Sequence, residues 1–344
     1  MLKGLIYATF ACLLWGATYV TPSLASTFSA PEVLLGRYLA FGVFSLLFLM
    51  KKTIRSKVEF KNLPPLKVII ILALVGFFLY DLIGIMNIRF NGSEAVGLIY
   101  GVTLLMFPVF MNLIAQKKWP ARIDLLNILF PFCGLLLLEW EIAGSIFEGN
   151  WIIGWGIAIA QGILWVYFTR KMSFFTKSLP DSENTAGNTI VMIGVACLLL
   201  SLVGWLYFIF SINGSPVVYA RAHSFDEWMF FAAASLLSGI GTNWLATHLW
   251  CIASLRLPYQ ILSNLLLADV AAGKIYELIL TGESLSMSHV LGIGILFGSG
   301  AMLKMVGAHY KEDPCLAEID IGPANVGLGI LPQPILEIQL AAEA

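Results

Sequence analysis

Charge is scarce in this chain: Asp, Glu, Lys and Arg together make up 12% of its 344 residues. A soluble domain usually carries about a quarter. So few ionised groups exclude an ordinary water-facing surface. Cysteine is also sparse. Cys12, Cys133, Cys197 and Cys251 fall in apolar stretches and Cys315 in the C-terminal tail, so no disulfide framework is expected. The four histidines are scattered, and no Cys/His spacing suggests a metal site; no cofactor is expected. No phosphate-binding G-x-x-x-x-G-K-[ST] run occurs, which excludes direct use of ATP. H-E-x-x-H and G-x-S-x-G are missing too, so the chain is not expected to be an enzyme. The net charge of −1 says nothing about nucleic acid; the basic residues read as topological anchors, and no nucleic-acid partner is expected.

Apolar residues are abundant, at 59%. They form ten stretches near 4–24, 31–50, 66–88, 94–115, 123–140, 151–169, 188–211, 228–252, 258–280 and 289–308. A span needs about 20 apolar residues to cross a hydrocarbon core of about 30 Å. The expected fold is therefore an all-α membrane protein with ten transmembrane helices and the lipid bilayer as its solvent. Lys and Arg fall on alternate connections: 16 of the 20 on the side of both termini, and only Arg89 and Arg221 on the other. Short cytoplasmic loops are enriched in these residues, so both termini are expected in the cytoplasm. The first span, with Ser23-Leu24-Ala25 at its end, imitates a secretory signal, but its removal would spoil this alternation; it is expected to be retained.

Ten spans divide five and five. Leu14-Trp15-Gly16 in span one matches Leu164-Trp165 in span six, 150 residues on, and Phe107-Pro108-Val109 in span four matches Ala268-Asp269-Val270 in span nine. An odd number of spans per unit inverts the second unit. Residues 1–145 and 146–310 are therefore expected to be two inverted five-helix repeats, an arrangement typical of transporters, with substrate held between the halves at mid-membrane. Residues 311–344 contain several acids, four prolines and no Lys or Arg beyond Lys311; they are expected to form a flexible cytoplasmic tail.

Charged groups inside spans are costly and face an interior, a partner or a pathway. Arg37, Asp81, Asp269, Lys274 and Glu277 qualify. Arg37 reads either as a packing ion pair, with Asp81 or an outer acid, or as a substrate contact. Lys274 and Glu277, three apart, can pair directly. Asp269 has no basic neighbour on its own helix; it reads as a hydrogen-bonded structural residue or a proton carrier. Taking span nine as one helix, Gln260, Asn264, Asp269, Lys274 and Glu277 spread over roughly 220° of its circumference. The candidate substrate-binding residues are Trp15, Tyr19, Arg37, Asp81, Tyr100, Trp165, Asn243, Asn264, Asp269 and Lys274. The candidate ion-coupling residues are Asp81, Asp269 and Glu277. Gln161, Asn188 and His248 are further polar groups within spans, for which helix gluing is the plainer role. Trp119, Trp151 and Trp228 stand at span ends as an interfacial belt. Tyr80, Tyr167 and Trp244 lie deeper. Gly97-x3-Gly101 and Gly294-x3-Gly298 permit close helix approach, with a dimer seam as the alternative; the chain is expected to be a monomer or homodimer.

Together, Leu14-Trp15-Gly16, Pro31 followed by Arg37, the small-residue-rich span four with Pro108, and Thr281-Gly282-Glu283-Ser284-Leu285-Ser286 give the chain a family likeness. It resembles the drug/metabolite transporter superfamily, specifically the ten-span bacterial exporters built from two EamA-type repeats, over about residues 4–308. It departs from the pattern at Ala115-Gln116-Lys117, where Gly-Glu would be expected, and at Asp269, where proline is usual. The resemblance implies a secondary transporter of the bacterial cytoplasmic membrane that moves a small polar or zwitterionic metabolite, such as an amino acid, outward by alternating access, with proton coupling through the intramembrane acids. A passive facilitator or lipid-intermediate flippase of the same fold is the alternative, and a membrane-embedded enzyme a remote one.

Overall fold

The computed structural model describes residues 2–54, 63–91, 96–106, 122–140, 151–178, 182–212, 219, 223–257 and 259–310. Among them the regular structure is entirely helical. The helices are α1 (Leu2–Leu24), α2 (Ala30–Ile54), α3 (Leu66–Ala73), α4 (Tyr80–Asn91), α5 (Val96–Met106), α6 (Arg122–Leu138), α7 (Trp151–Ser178), α8 (Ser182–Tyr207), α9 (Phe225–Leu236), α10 (Thr247–Ser254), α11 (Tyr259–Leu265), α12 (Ala268–Thr281) and α13 (Met287–Tyr310). Segments of π-helix join α3 to α4 (Leu74–Leu79) and α9 to α10 (Leu237–Ala246), making one continuous run of each pair. A third, Phe208–Ile212, extends α8. The chain forms one helical unit to Lys304 and a separate C-terminal unit, Met305–Ala344, whose described part is the end of α13. The boundary expected after residue 145, the Phe107-Pro108-Val109 match and the tail from 311 lie outside the described residues.

Among the described residues six helical runs are long and apolar enough to cross a membrane: Leu2–Leu24, Ala30–Lys51, Leu66–Ile88, Ile152–Thr169, Asn184–Phe210 and Phe225–Ser254. Val96–Met106, Ile128–Leu138 and Met287–Ser299 are shorter apolar helices at the places expected for spans four, five and ten. The ninth differs from expectation. Residues 258–280 are not one helix: α11 ends at Leu265, Leu266 and Leu267 turn, and α12 starts at Ala268. The single helical wheel drawn through this stretch therefore does not hold, and Asp269 stands in the first turn of a helix rather than at the middle of one.

The exterior of these helices is apolar. Leu47, Leu199 and Val203 are each at least 60% exposed. Lipid takes up such side chains without cost, so helix association depends on close packing rather than on hiding apolar surface. Small residues supply it. A Cβ on Gly16 of α1 would come within 2.5 Å of the Ala272 Cβ and 2.7 Å of the Gly273 nitrogen of α12. Gly42 of α2 lies against Leu198 and the Gly194 carbonyl of α8, and Gly194 in turn against Ser45 and Phe41. The Ser201 hydroxyl donates across the same seam to the Leu35 carbonyl, at 2.7 Å. Gly97 and Gly101 face Val270 and Leu135, whereas Gly294 and Gly298 face open space; the second glycine pair does not serve helix approach within the described residues.

Helix ends follow local chemistry. Ser29 and Glu32 start α2 with reciprocal bonds: the Ser29 N–H donates to Glu32 Oε2 at 2.6 Å and the Glu32 N–H to Ser29 Oγ at 3.5 Å. Ser224 and Glu227 do the same at α9. Gly282 closes α12 at φ 72°, a conformation that costs glycine little, and its N–H reaches the Leu278 carbonyl.

Candidate functional site

Two intramembrane charges meet first. Arg37 on α2 points across to Asp81 on α4, with Nη1 2.9 Å from Oδ2. The same carboxylate oxygen accepts from the Tyr38 hydroxyl at 2.6 Å and from Asn243 Nδ2 at 3.3 Å. Arg37 is 1% exposed; beyond Asp81 it has a long contact to Thr21 Oγ1, 3.5 Å, and its Nε has no hydrogen-bond partner. Asn243 belongs to the π segment of the α9–α10 run, and Asp81 follows the π segment of the α3–α4 run. Such segments are frequent at functional sites.

Beside this cluster lies a cavity of about 80 Å³, room for a few waters or a compact solute. Trp15, Thr18 and Tyr19 line it from α1, and Arg37 from α2. The α3–α4 run contributes Gly76, Tyr80, Asp81, Gly84 and Ile88, and α5 contributes Val96 and Tyr100. Gln161 and Trp165 come from α7, Asn243 and Thr247 from the α9–α10 run, and Asp269 from α12. The Tyr80 and Tyr100 hydroxyls hydrogen-bond each other at 2.5 Å. Trp15 and Trp165 meet edge to face, with ring centroids 5.3 Å apart. Trp15 Nε1 donates to the Thr242 carbonyl in the π segment, at 3.1 Å, which fixes the indole against that wall.

Asp269 is 6% exposed, and its Oδ1 has no hydrogen-bond partner. The break before α12 places it here. At this break the freed Leu265 carbonyl accepts from the Cys12 thiol of α1, at 3.1 Å.

Eight of the ten candidate binding residues thus line one cavity: Trp15, Tyr19, Arg37, Asp81, Tyr100, Trp165, Asn243 and Asp269. Asn264 and Lys274 are buried but do not line it. Lys274 Nζ lies 3.5 Å from Glu277 Oε2 on its own helix and 3.7 Å from Glu139 Oε2 just beyond α6. The i, i+3 pair was legible; Glu139, 135 residues away in sequence, was not. Glu277 accordingly stands in this triad and not in the cavity. Tyr167 is exposed, and Trp244 stacks on His248 and packs with Phe44 and Phe48. Trp228 belongs to an aromatic cluster with Phe28, Tyr219 and Phe231. Trp119 lies outside the described residues. The polar residues that the sequence did not single out include Thr18, Tyr38 and Thr247, which carry no charge to draw attention, and Glu139, at the end of its span.

No family model matches the sequence. A curated relative, the inner membrane protein YtfF of Escherichia coli (strain K12), is 23% identical over 313 residues, covering 86% of this chain and 93% of its own. A solved crystal structure matches 88% of this chain and 98% of its own with a TM-score of 0.63 and 17% identity, a likeness of fold alone. This chain is a membrane protein. Its long apolar helices and lipid-compatible exterior require a bilayer.

Proposed function

We propose that the protein is a ten-span secondary transporter of the drug/metabolite superfamily, EamA-like, built from two inverted five-helix halves in the bacterial cytoplasmic membrane. It moves a small polar or zwitterionic metabolite, with amino acids as the first class to test, and has no enzymatic activity. The observation that carries this reading is the cavity between helices of both halves, containing a balanced ion pair and a buried carboxylate with no ion-pair partner among the described residues. Buried charge of this kind in a spanning bundle marks a solute or ion pathway.

Inversion has geometric support. Residues near a two-fold axis must touch their own equivalents. Trp15 touches Trp165, 150 positions on. Asp81 accepts from Asn243, 162 positions on. Gly42 of α2 crosses Gly194 of α8 at an offset of 152. The two π segments also recur at corresponding places, in the third and eighth runs. The E. coli relative supports the membrane assignment.

The cavity extends toward Ile88 and Val96, which the basic-residue pattern puts at the outer side. At the other end, α1 packs Gly4 against Leu257, and the Arg256 guanidinium lies over the Tyr7 ring at 5.4 Å. This supports a state closed toward the cytoplasm. Purified protein in liposomes should carry labelled amino acids across the bilayer, and an imposed pH gradient should drive net flux. Binding without flux would remove the transport reading. Flux indifferent to pH would favour the passive facilitator.

A further inference from the structure

We infer that the cavity selects a compact organic monocation, a protonated amine bearing a neutral hydrogen-bond acceptor, over the zwitterion or anion of the same skeleton. This rests on the transport reading and narrows its substrate class.

Besides tyrosines, three ionisable side chains line the cavity: Arg37, Asp81 and Asp269. Arg37 and Asp81 neutralise one another at 2.9 Å. Asp269 is left over. The groups that face it are Cys12 and Tyr19 from α1, Tyr80 from α4 and Tyr100 from α5, all uncharged near neutrality. Its other polar contacts are backbone N–H groups of its own helical turn. Among the described residues no ion pair reaches it; Lys274, five positions on, is engaged with Glu139 and Glu277. The imbalance extends beyond the cavity. Among the described residues the buried acids are Glu32, Asp81, Glu139 and Asp269, and the buried Lys and Arg are Arg37 and Lys274. Glu32 is held by neutral donors, the Ser29 N–H and the Tyr219 hydroxyl. An uncompensated carboxylate at low dielectric is expensive and keeps either a proton or a counter-ion. A monocation can take the proton's place, a zwitterion brings a negative charge of its own, and an anion adds a second.

The remaining walls agree. Trp15, Trp165 and Tyr80 present rings to the cavity, and aromatic faces attract ammonium groups. A hard inorganic cation needs a shell of six or more oxygens, and these rings do not provide one. On two further lining residues a buried polar atom has no hydrogen-bond partner: Arg37 Nε, a donor, and Gln161 Oε1, an acceptor. Gln161 can share the ammonium. Arg37 Nε can take a hydroxyl or amide oxygen. A second carboxylate there would sit beside Asp81 and be repelled by it. The volume of about 80 Å³ limits the ligand to few heavy atoms.

Alaninamide, alanine, lactamide and lactate form a near-isosteric series of cation, zwitterion, neutral molecule and anion. Thermal stabilisation of the purified protein, at a pH where the alaninamide amine is protonated and at constant ionic strength, ranks their binding. Alaninamide is expected to bind tighter than alanine by about tenfold or more, the effect of one extra unpaired charge within a few Å. Asp269→Asn is expected to abolish the preference while eluting as a folded, monodisperse species. Asp269→Glu is expected to keep it. Equal or tighter binding of alanine or lactate, stabilisation by sodium chloride alone to the same extent, no stabilisation by any member, or an Asn variant that still prefers alaninamide would each overturn the inference. Liposome flux separates the two readings. Alanine flux without a cation preference leaves the transporter and removes the monocation site. A cation preference without flux leaves the site and removes the transporter.

Discussion

The Arg37–Asp81 pair lends itself to a double-mutant cycle, because its two partners are unequally supported. Asp81→Leu would strand a guanidinium that is 1% exposed, with a single long contact to Thr21. Removing one partner of a buried pair costs about 3–5 kcal/mol in soluble proteins. Arg37→Leu leaves Asp81 with two donors, Tyr38 at 2.6 Å and Asn243 at 3.3 Å. Each neutral hydrogen bond offsets about 1 kcal/mol, so this variant should lose less, about 2–3 kcal/mol on the same scale. Joining the two removes both charges; what remains is the loss of partners for Tyr38 and Asn243, about 1–3 kcal/mol. The double variant should therefore be more stable than Asp81→Leu alone. Helix-to-helix hydrogen bonds measured inside membranes average only about 0.6 kcal/mol, since unfolded chains in micelles find other partners. A coupling energy of at least about 2 kcal/mol should survive that discount, because the stranded group is a full charge. Reversible unfolding of the purified variants by SDS titration in mixed micelles reads all four stabilities. Additivity of the two single losses to within about 0.5 kcal/mol would refute the reasoning, since independent sites behave that way.

Four further outcomes are expected. A cysteine at Ser145 should react with an impermeant thiol reagent from outside the cell and one at Ser56 should not; the reverse pattern would overturn the orientation. Gly16→Leu should lose folded yield or at least about 1–3 kcal/mol by overpacking α1 against Ala272, whereas Gly156→Leu, with nothing within 4 Å, should be neutral; equal behaviour of the two would show that the α1–α12 approach is not tight. Lys274→Met should destabilise by about 3 kcal/mol by depriving Glu139 of its cation, and adding Glu139→Gln should restore most of that; a double variant no better than the single would separate the two residues. Asp269→Asn should reach the membrane and retain substrate exchange while losing the pH dependence of net flux; a wild-type pH profile would make Asp269 structural and turn attention to Asp81.

Which parts of this arrangement could be read from the sequence follows from what makes a local signal. Long apolar runs did: the stretch expected at 31–50 is helix α2, Ala30–Ile54, and that at 66–88 is the α3–α4 run. Charge inside a span did as well, because its cost in lipid leaves few roles; Arg37, Asp81 and Asp269 were visible for that reason and all three line the cavity. Pairings between distant helices did not. Nothing in sequence ties Glu139 to Lys274 or Tyr80 to Tyr100. The break in the ninth stretch was also hidden. Asn264-Leu265-Leu266-Leu267-Ala268 holds neither glycine nor proline, so an apolar reading runs straight through it. The one available sign was Asp269 itself, since an acid is favoured in the first turn of a helix.

Irregular backbone at membrane depth needs partners, because lipid supplies none for a freed carbonyl or amide. Helix α1 supplies two of them. Its Cys12 thiol takes the Leu265 carbonyl at the break before α12, and its Trp15 indole takes the Thr242 carbonyl in the π segment before α10. The donors are three residues apart and so share one face of α1. The segments they steady are the ones that deliver Asp269 and Asn243 to the cavity. Gly16, next to Trp15, lets α12 come close enough for this. The Leu-Trp-Gly run is thus a bonding element as well as an aromatic wall. One short sequence on one helix keeps two distorted helices in register, and a displacement of α1 along its axis would loosen both polar walls of the cavity together.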